Sequence, residues 1–240
     1  MINLIIAAVS DVHSPRWYEE FVHAVDRMRV KPDLFIIAGD MIERGEVKEY
    51  ERVYNALFGK ISCQIVACFG NNEFDQLRQQ LKSKYPDVKF LDDEGTILRL
   101  GRITVGIVGT TGSLDNPTPW QRENVPAIEK TFAERVNLVE RMMKRMSGSD
   151  FRVLVTHYAP TYKTLEGENP RFYGSMGSRM YETVIQSLKP TVVFHGHSVR
   201  GKKMDWVDTV PVYNVAFAVN REIVIVDTDK DLKAGITRFV

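Results

Sequence analysis

The chain has 240 residues, 44% of them hydrophobic and 26% charged, with a formal net charge of +1. That is an ordinary globular composition with enough apolar material for a sizeable core, which excludes a fibrous, disordered or disulfide-dependent chain. The near-zero charge excludes a global attraction to nucleic acid or membrane, so any anion site must be local. The two cysteines, Cys63 and Cys68, lie five apart in one apolar run. An extended strand points them to opposite faces, against a disulfide between them. No apolar run reaches the roughly 18 residues of a membrane span. The first residues lack a basic segment followed by an apolar stretch and cleavage site, so the expectation is a cytoplasmic protein without membrane spans.

Leu4-Ile5-Ile6-Ala7-Ala8-Val9 reads as a buried strand that gives way at Ser10-Asp11-Val12-His13. Ser14 can cap a following helix with Pro15 at its first position, and Phe21, Val25 and Met28 recur at helical spacing. A second strand covers residues 34–38 and leads into Gly39-Asp40. Residues 46–58 form a helix with Val47, Tyr50, Val53, Tyr54 and Leu57 on one face. A third strand, residues 64–69, leads into Gly70-Asn71-Asn72-Glu73, and residues 74–84 are helical. Strand and helix alternating at this spacing predict a parallel sheet with right-handed crossovers.

Residues 96–100 and 103–108 around Gly101-Arg102 predict a hairpin. Residues 109–126 read as loop, 127–146 as a long helix with Phe132, Val136, Val139 and Met143 on one face, and 151–156 as a strand ending at His157. A loop over 161–177 precedes a helix over 178–188, and a strand over 191–195 ends in Gly196-His197. Short strands follow at 203–207, 211–214, 222–227 and 234–239. There is no internal repeat, low-complexity stretch or linker, so residues 1–240 read as one domain.

Five strand ends thus carry Asp11 and His13, Asp40, Asn71, His157 and His197. Singly, each has an ordinary explanation: Asp40 and Asn71 as turn residues, His157 as a satisfied interior histidine. Jointly, oxygen and nitrogen ligands after buried strands of a parallel α/β sheet suit two adjacent divalent ions, since ligands bind where such strands end.

The ordered blocks Asp11-Val12-His13, Gly39-Asp40, Gly70-Asn71-Asn72-Glu73, His157 and Gly196-His197-Ser198-Val199 resemble those of the calcineurin-like metallophosphoesterase superfamily. Its pattern is Asp-x-His, Gly-Asp, Gly-Asn-His-Glu/Asp, a lone His after a strand, and Gly-His-x-His. The resemblance implies an α/β fold, a four-layer αββα sandwich of two mixed sheets flanked by helices, with the terminal strands forming much of the second sheet. It implies that Asp11 and His13 hold one metal, Asp40 bridges two, and Asn71, His157 and His197 complete the second. A water or hydroxide between the ions, which are Mn, Fe or Zn, would attack phosphorus in line. The expected substrate is a phosphorylated small molecule or nucleotide, with nucleic acid a less favoured alternative.

Met41-Ile42-Glu43-Arg44-Gly45 resembles the block that follows Gly-Asp in the serine/threonine phosphatases of this superfamily. Arg44 is therefore either a phosphate clamp, since guanidinium binds phosphate bidentately, or a solvated charge at a helix entry. Two departures matter. Asn72 stands where the family carries a histidine thought to protonate the leaving oxygen, and asparagine cannot deliver that proton. Good leaving groups are then favoured: aryl esters, anhydrides, nucleotides. Val199 stands where the family often has a further histidine ligand. His195 is either a substitute ligand or a group behind the ligands, and Phe194-His195-Gly196-His197 is an alternative register for the last block. Trp120, Tyr158, Tyr162, Arg171 and Tyr173 are candidates to contact a base or aryl group, and Arg200, Lys202 and Lys203 to widen a positive field. The competing functions are a metal-dependent nuclease and a metal-binding scaffold that has lost catalysis, which Asn72 favours.

Overall fold

A computed structural model of the chain describes residues 3–232. The first sheet orders its strands β11-β1-β2-β3-β4, from β1 (Ile5–Val9), β2 (Leu34–Ala38), β3 (Gln64–Cys68), β4 (Val88–Leu91) and β11 (Val224–Asp227). Its first four strands run parallel, and β11 lies antiparallel against β1. The second sheet orders β5-β6-β7-β8-β10-β9, from β5 (Glu94–Leu100), β6 (Ile103–Thr110), β7 (Phe151–Thr156), β8 (Val192–His195), β9 (Met204–Val207) and β10 (Val210–Asn214). Here β6, β7, β8 and β10 are parallel, and the outer strands β5 and β9 are antiparallel.

Strand periodicity builds the layers. Ile6 and Ala8 of β1, with Leu34, Ile36 and Ala38 of β2, face Val105, Ile107, Val153, Val155 and Phe194 of the other sheet. The alternate residues Ala7, Val9, Phe35 and Ile37 turn outward onto α1 (Tyr18–Arg27) and α2 (Val47–Leu57). Leu154 and Val193 turn outward onto α5 (Ile128–Arg145) and α6 (Met180–Leu188). The core-facing residues of α5, Ile128, Phe132, Val136, Val139 and Met143, recur at helical spacing and are all buried. The result is the expected four-layer sandwich, with α3 (Asp75–Lys84) on the first sheet's side.

Several local expectations need correction. Ser14 caps no helix: its hydroxyl donates to Glu49 Oε2, its N–H to the Met41 carbonyl, and α1 begins later at Tyr18. The loop over 109–126 contains the helix α4 (Pro119–Asn124), closed by a capping box between Thr118 and Gln121. The loop over 161–177 holds two 3-10 segments, Lys163–Leu165 and Pro170–Ser175. Strand β4 and the short helix α7 (Phe217–Asn220) were not anticipated. Of the terminal strands, β9 and β10 join the second sheet, but β11 pairs with β1 in the first. The expected strand over 234–239 lies outside the described residues. Cys63 and Cys68 are both free thiols. Among the described residues no helix is long and apolar enough to cross a membrane.

Candidate active site

The ends of β1, β2, β3, β7 and β8 converge where the two sheets meet. The His157 Nδ1–Ala38 carbonyl contact, at 2.9 Å, ties a histidine after the second sheet's β7 to the first sheet's β2. Two glycines permit the approach. A Cβ on Gly70 would collide with the Asp40 carboxylate, and one on Gly196 with the Asp11 carboxylate and the Ser10 hydroxyl. The Gly-Asn and Gly-His blocks are thus partly explained by sterics, each needing a bare backbone against a carboxylate, while Gly39 of the Gly-Asp block lies against the Gly70 backbone and the His157 ring.

The ligand-type atoms of Asp11, His13 and Asp40 lie within 4.8 Å of one another, and so do those of Asp40, His157 and His197. Asp40 belongs to both groups. Asn71 is exposed at the mouth, with Oδ1 3.1 Å from His157 Nε2. Asp11 Oδ2 accepts from the Ser10 hydroxyl at 2.6 Å and the His197 N–H at 2.8 Å, leaving Oδ1 facing His13 Nε2 at 3.5 Å.

Burial dominates the electrostatics and the charges answer it. Burial raises the Asp40 carboxyl, yet the nearby His157 and His13 outweigh it and hold Asp40 well below the usual carboxylate range. Asp11 is lowered likewise, burial being overcome by the His13 hydrogen bond and by His157. Burial opposes charge on His157, but Asp40, Asp11 and the Ala38 carbonyl raise it to about 9. His13 is raised too, its burial outweighed by Asp11 and Asp40. His197 goes the other way, to about 4, through burial and the charge of His157. The two buried carboxylates thus favour positive charge on His13 and His157 beside them.

Two neighbours fix the Asp40 turn. Glu73 is buried, and its carboxylate accepts from the backbone N–H of Asp40, Met41 and Gly70, each at 2.8 Å. Burial and the charge of Asp40 raise its carboxyl to about 7. Asn72 donates to both Asp40 oxygens, from its backbone N–H to Oδ1 at 2.7 Å and from Nδ2 to Oδ2 at 2.6 Å. Its Oδ1 accepts the Arg44 N–H at 3.0 Å. Glu73 stands in the quoted motif, but no sequence pattern shows that it gathers three strand-end amides.

The other candidates fall in different places. His195 is buried at the end of β8, with Nδ1 2.8 Å from the Gly196 carbonyl and Nε2 unpartnered; burial lowers it to about 4. It belongs to neither ligand-type group. The Arg44 guanidinium is exposed in a shallow cavity with Pro15, Glu43 and Glu46 and has no ion pair among the described residues. Trp120 and Tyr158 line a larger cavity that reaches Asn71. Tyr162 and Tyr173 instead pack edge to face on each other, 5.6 Å between centroids. Lys202 is paired with Glu166 and Asp205, which removes it from any free positive field. Val199 is exposed. Sequence reading missed Phe74, Arg78 and Arg135 around the cavity, residues brought there only by tertiary packing.

The profile of the calcineurin-like phosphoesterase family matches residues 4–201, the stretch that carries all five motif blocks. No curated protein sequence matches the chain significantly. Among solved structures, a phosphopantetheinyl hydrolase from Mycobacterium tuberculosis is similar with a TM-score of 0.64 at 15% identity, over 91% of this chain and 95% of that one. A dimetal phosphatase from Danio rerio is similar with a TM-score of 0.56 at 10% identity, over 88% of this chain and 86% of its own. A putative 5'-nucleotidase from Staphylococcus aureus is similar with a TM-score of 0.57 at 18% identity, over 89% of this chain but 48% of that one. At such identities these likenesses show a shared fold, whereas the family profile spans the motif blocks themselves. The chain belongs to the calcineurin-like phosphoesterase family.

Proposed function

We propose that the protein is a metal-dependent phosphoesterase acting on a phosphorylated small molecule or nucleotide with a good leaving group. The observation that carries this reading is Asp40, shared between two groups of ligand-type atoms at the junction of the sheets. The donor set fits: carboxylate oxygen and imidazole nitrogen suit Mn, Fe or Zn. The tautomer fits as well. A proton on His157 Nδ1 would donate to the Ala38 carbonyl, so that a ring whose Nε2 proton is displaced by an incoming ion would present that lone pair toward Asn71 and Asp40. Asp11, His13 and Asp40 would hold one divalent ion, and Asp40, Asn71, His157 and His197 the second. Ions bound there supply positive charge to the phosphoryl oxygens and lower the pKa of the attacking water.

The chain's own residues set the leaving-group preference. The Asn72 side chain can donate a hydrogen bond toward the site but has no titratable proton to give the departing oxygen. Loss of a general acid costs about 10²–10⁴ in rate when the leaving group is poor and little when it leaves as a stable anion. Aryl esters and anhydrides are therefore the expected substrates.

The test is metal analysis after mild purification, followed by assays with Mn²⁺ on bis-aryl phosphate, aryl phosphate, nucleotides and single-stranded DNA. Turnover of the aryl or nucleotide substrates supports the proposal. Cleavage confined to DNA would replace it with a nuclease. Two bound ions without turnover on any substrate would favour a metal-binding scaffold, the second reading that Asn72 supports.

A further inference from the structure

A cavity of about 460 Å³ lies beside the site and reaches Asn71. Its size falls within the range of about 300–1,000 Å³ typical of small-molecule pockets. Tyr158 joins the cavity to the site: its ring lies 5.5 Å from that of His157 and 4.8 Å from that of His197. The remaining apolar walls are Phe74, Trp120, Val125, Ile128 and Phe132.

Three features of the cavity decide what it takes. First, its back wall is packed, with Phe132, Ile128 and Tyr158 all buried, while Trp120 is 65% and Phe74 40% exposed. Two large aromatic surfaces are thus left in water at one opening, at a cost that a bound apolar group would relieve. Second, Trp120 is held in place without being covered. Its helix α4 is closed by the Thr118–Gln121 capping box, and Gln121 Nε2 donates to the Tyr158 hydroxyl at 3.4 Å. Third, both guanidiniums of the cavity are already engaged. Arg78 pairs with Asp92 at 2.6 Å and Asp75 at 2.9 Å; Arg135 pairs with Asp93 at 2.8 Å and donates to the Gly112 carbonyl at 2.6 Å. Glu73 and Asp75 also line the cavity, so an anionic substituent would find carboxylates and no free cation.

Resting on the phosphoesterase reading, we propose that this cavity binds the organic portion of the substrate and selects an uncharged, flat, apolar group joined to the phosphate. It is not a seat for a second phosphate. The assignment agrees with Asn72: a flat aromatic alcohol is also one that departs without a donated proton.

Phosphonates test this without leaving-group chemistry. Methylphosphonate, naphthylmethylphosphonate and 4-carboxybenzylphosphonate are titrated calorimetrically into the Mn²⁺-loaded full chain, and each is assayed as a competitor of aryl phosphate hydrolysis. The naphthyl probe is expected to bind about ten- to a hundredfold more tightly than methylphosphonate, from the apolar area it removes from water. The carboxyl probe should lose most of that gain. Trp120→Ala should cost the naphthyl probe about tenfold and methylphosphonate much less; Phe74→Ala provides a second variant on the other aromatic. Equal affinity for naphthyl and methyl probes, tighter binding of the carboxyl probe, or an unaltered preference in both variants would overturn the assignment. If methylphosphonate binds but the naphthyl gain is missing, only the cavity assignment falls. If no phosphonate binds and no ester turns over, the phosphoesterase reading falls and takes this inference with it.

Discussion

Gly70→Ala is the sharpest single perturbation of the site, because it adds one methyl group against one carboxylate. A Cβ at Gly70 would overlap Asp40 Oδ1 and lie 2.5 Å from the Asp40 amide nitrogen and 2.7 Å from its Cγ. Neither side can yield cheaply. The Asp40 N–H and the Gly70 N–H both donate to the same Glu73 oxygen at 2.8 Å, and Asp40 Oδ1 accepts the Asn72 N–H at 2.7 Å. Overpacking of this kind costs about 1–3 kcal/mol, and a displaced carboxylate forfeits a charge-assisted hydrogen bond of about 1.5–3 kcal/mol. A destabilisation of about 3–5 kcal/mol corresponds to a fall in Tm on the order of 10 °C for a chain of this size. Gly148→Ala is the control, since nothing lies within 4 Å of a Cβ there. Thermal unfolding in chelator reads the stability term, and calorimetric Mn²⁺ titration reads the displacement of Asp40. If Gly70→Ala unfolds and binds metal like Gly148→Ala, the claim that a bare backbone at Gly70 sets the Asp40 position is wrong.

Two further substitutions probe the chemistry. Asn72→His should raise turnover of alkyl phosphates by about 10² or more while changing aryl phosphates little, read as kcat/KM on matched esters; equal gains on both classes would remove the leaving-group argument. Asp40→Asn is isosteric but loses the charge shared by both ligand groups, so metal analysis should find neither ion retained and hydrolysis should be abolished. Activity retained in that variant would sink the bridging assignment.

That the candidate ligands gather at one sheet edge was legible in the sequence for a physical reason. Parallel strands buried on both faces are short unbroken apolar runs, so the first polar residue after each run marks the sheet edge where ligands gather. Asp11, Asp40, Asn71, His157 and His197 all sit at such transitions. What was illegible depended on tertiary placement. Strand β4 is only four residues, broken by exposed Lys89, and α7 is a four-residue turn with no periodicity to detect. That β11 returns to pair with β1 follows from the route of the chain between the sheets, which no local pattern encodes. The cavity draws Phe74 from the entry to α3, Trp120 from α4 and Phe132 and Arg135 from α5. In sequence these are an exposed aromatic, a loop tryptophan and two residues of a charged helix. Tyr162 and Tyr173 are equally suitable by sequence and pack edge to face on each other instead.

The two ligand groups are unequal, and His13 is where the inequality is tested. Asp11, His13, Asp40 and His197 all adopt left-handed backbone, with φ of 54°, 45°, 52° and 65°. Such conformations cost about 1–2 kcal/mol each and persist only where other bonds dictate them. Here hydrogen bonds hold them: the Asp11 N–H donates to the Gly39 carbonyl and the His13 N–H to the Asp40 carbonyl, both at 3.1 Å, and the His197 N–H to Asp11 Oδ2 at 2.8 Å. The fold thus presets these backbones, and the difference between the proposed positions lies in the number of residues at each. Each ligand-type group includes one partly exposed histidine, His13 in one and His197 in the other, and Asn71 is exposed at the mouth. On the proposed division, an ion at Asp11, His13 and Asp40 would have three protein residues to hold it, against four for an ion at Asp40, Asn71, His157 and His197. His13→Ala should lower the bound metal from two ions to one while Asp40, His157 and His197 keep theirs, read by elemental analysis after dialysis and by calorimetric stoichiometry. Loss of the His157–His197 ion first, or of both together, would show that the ligands are divided differently.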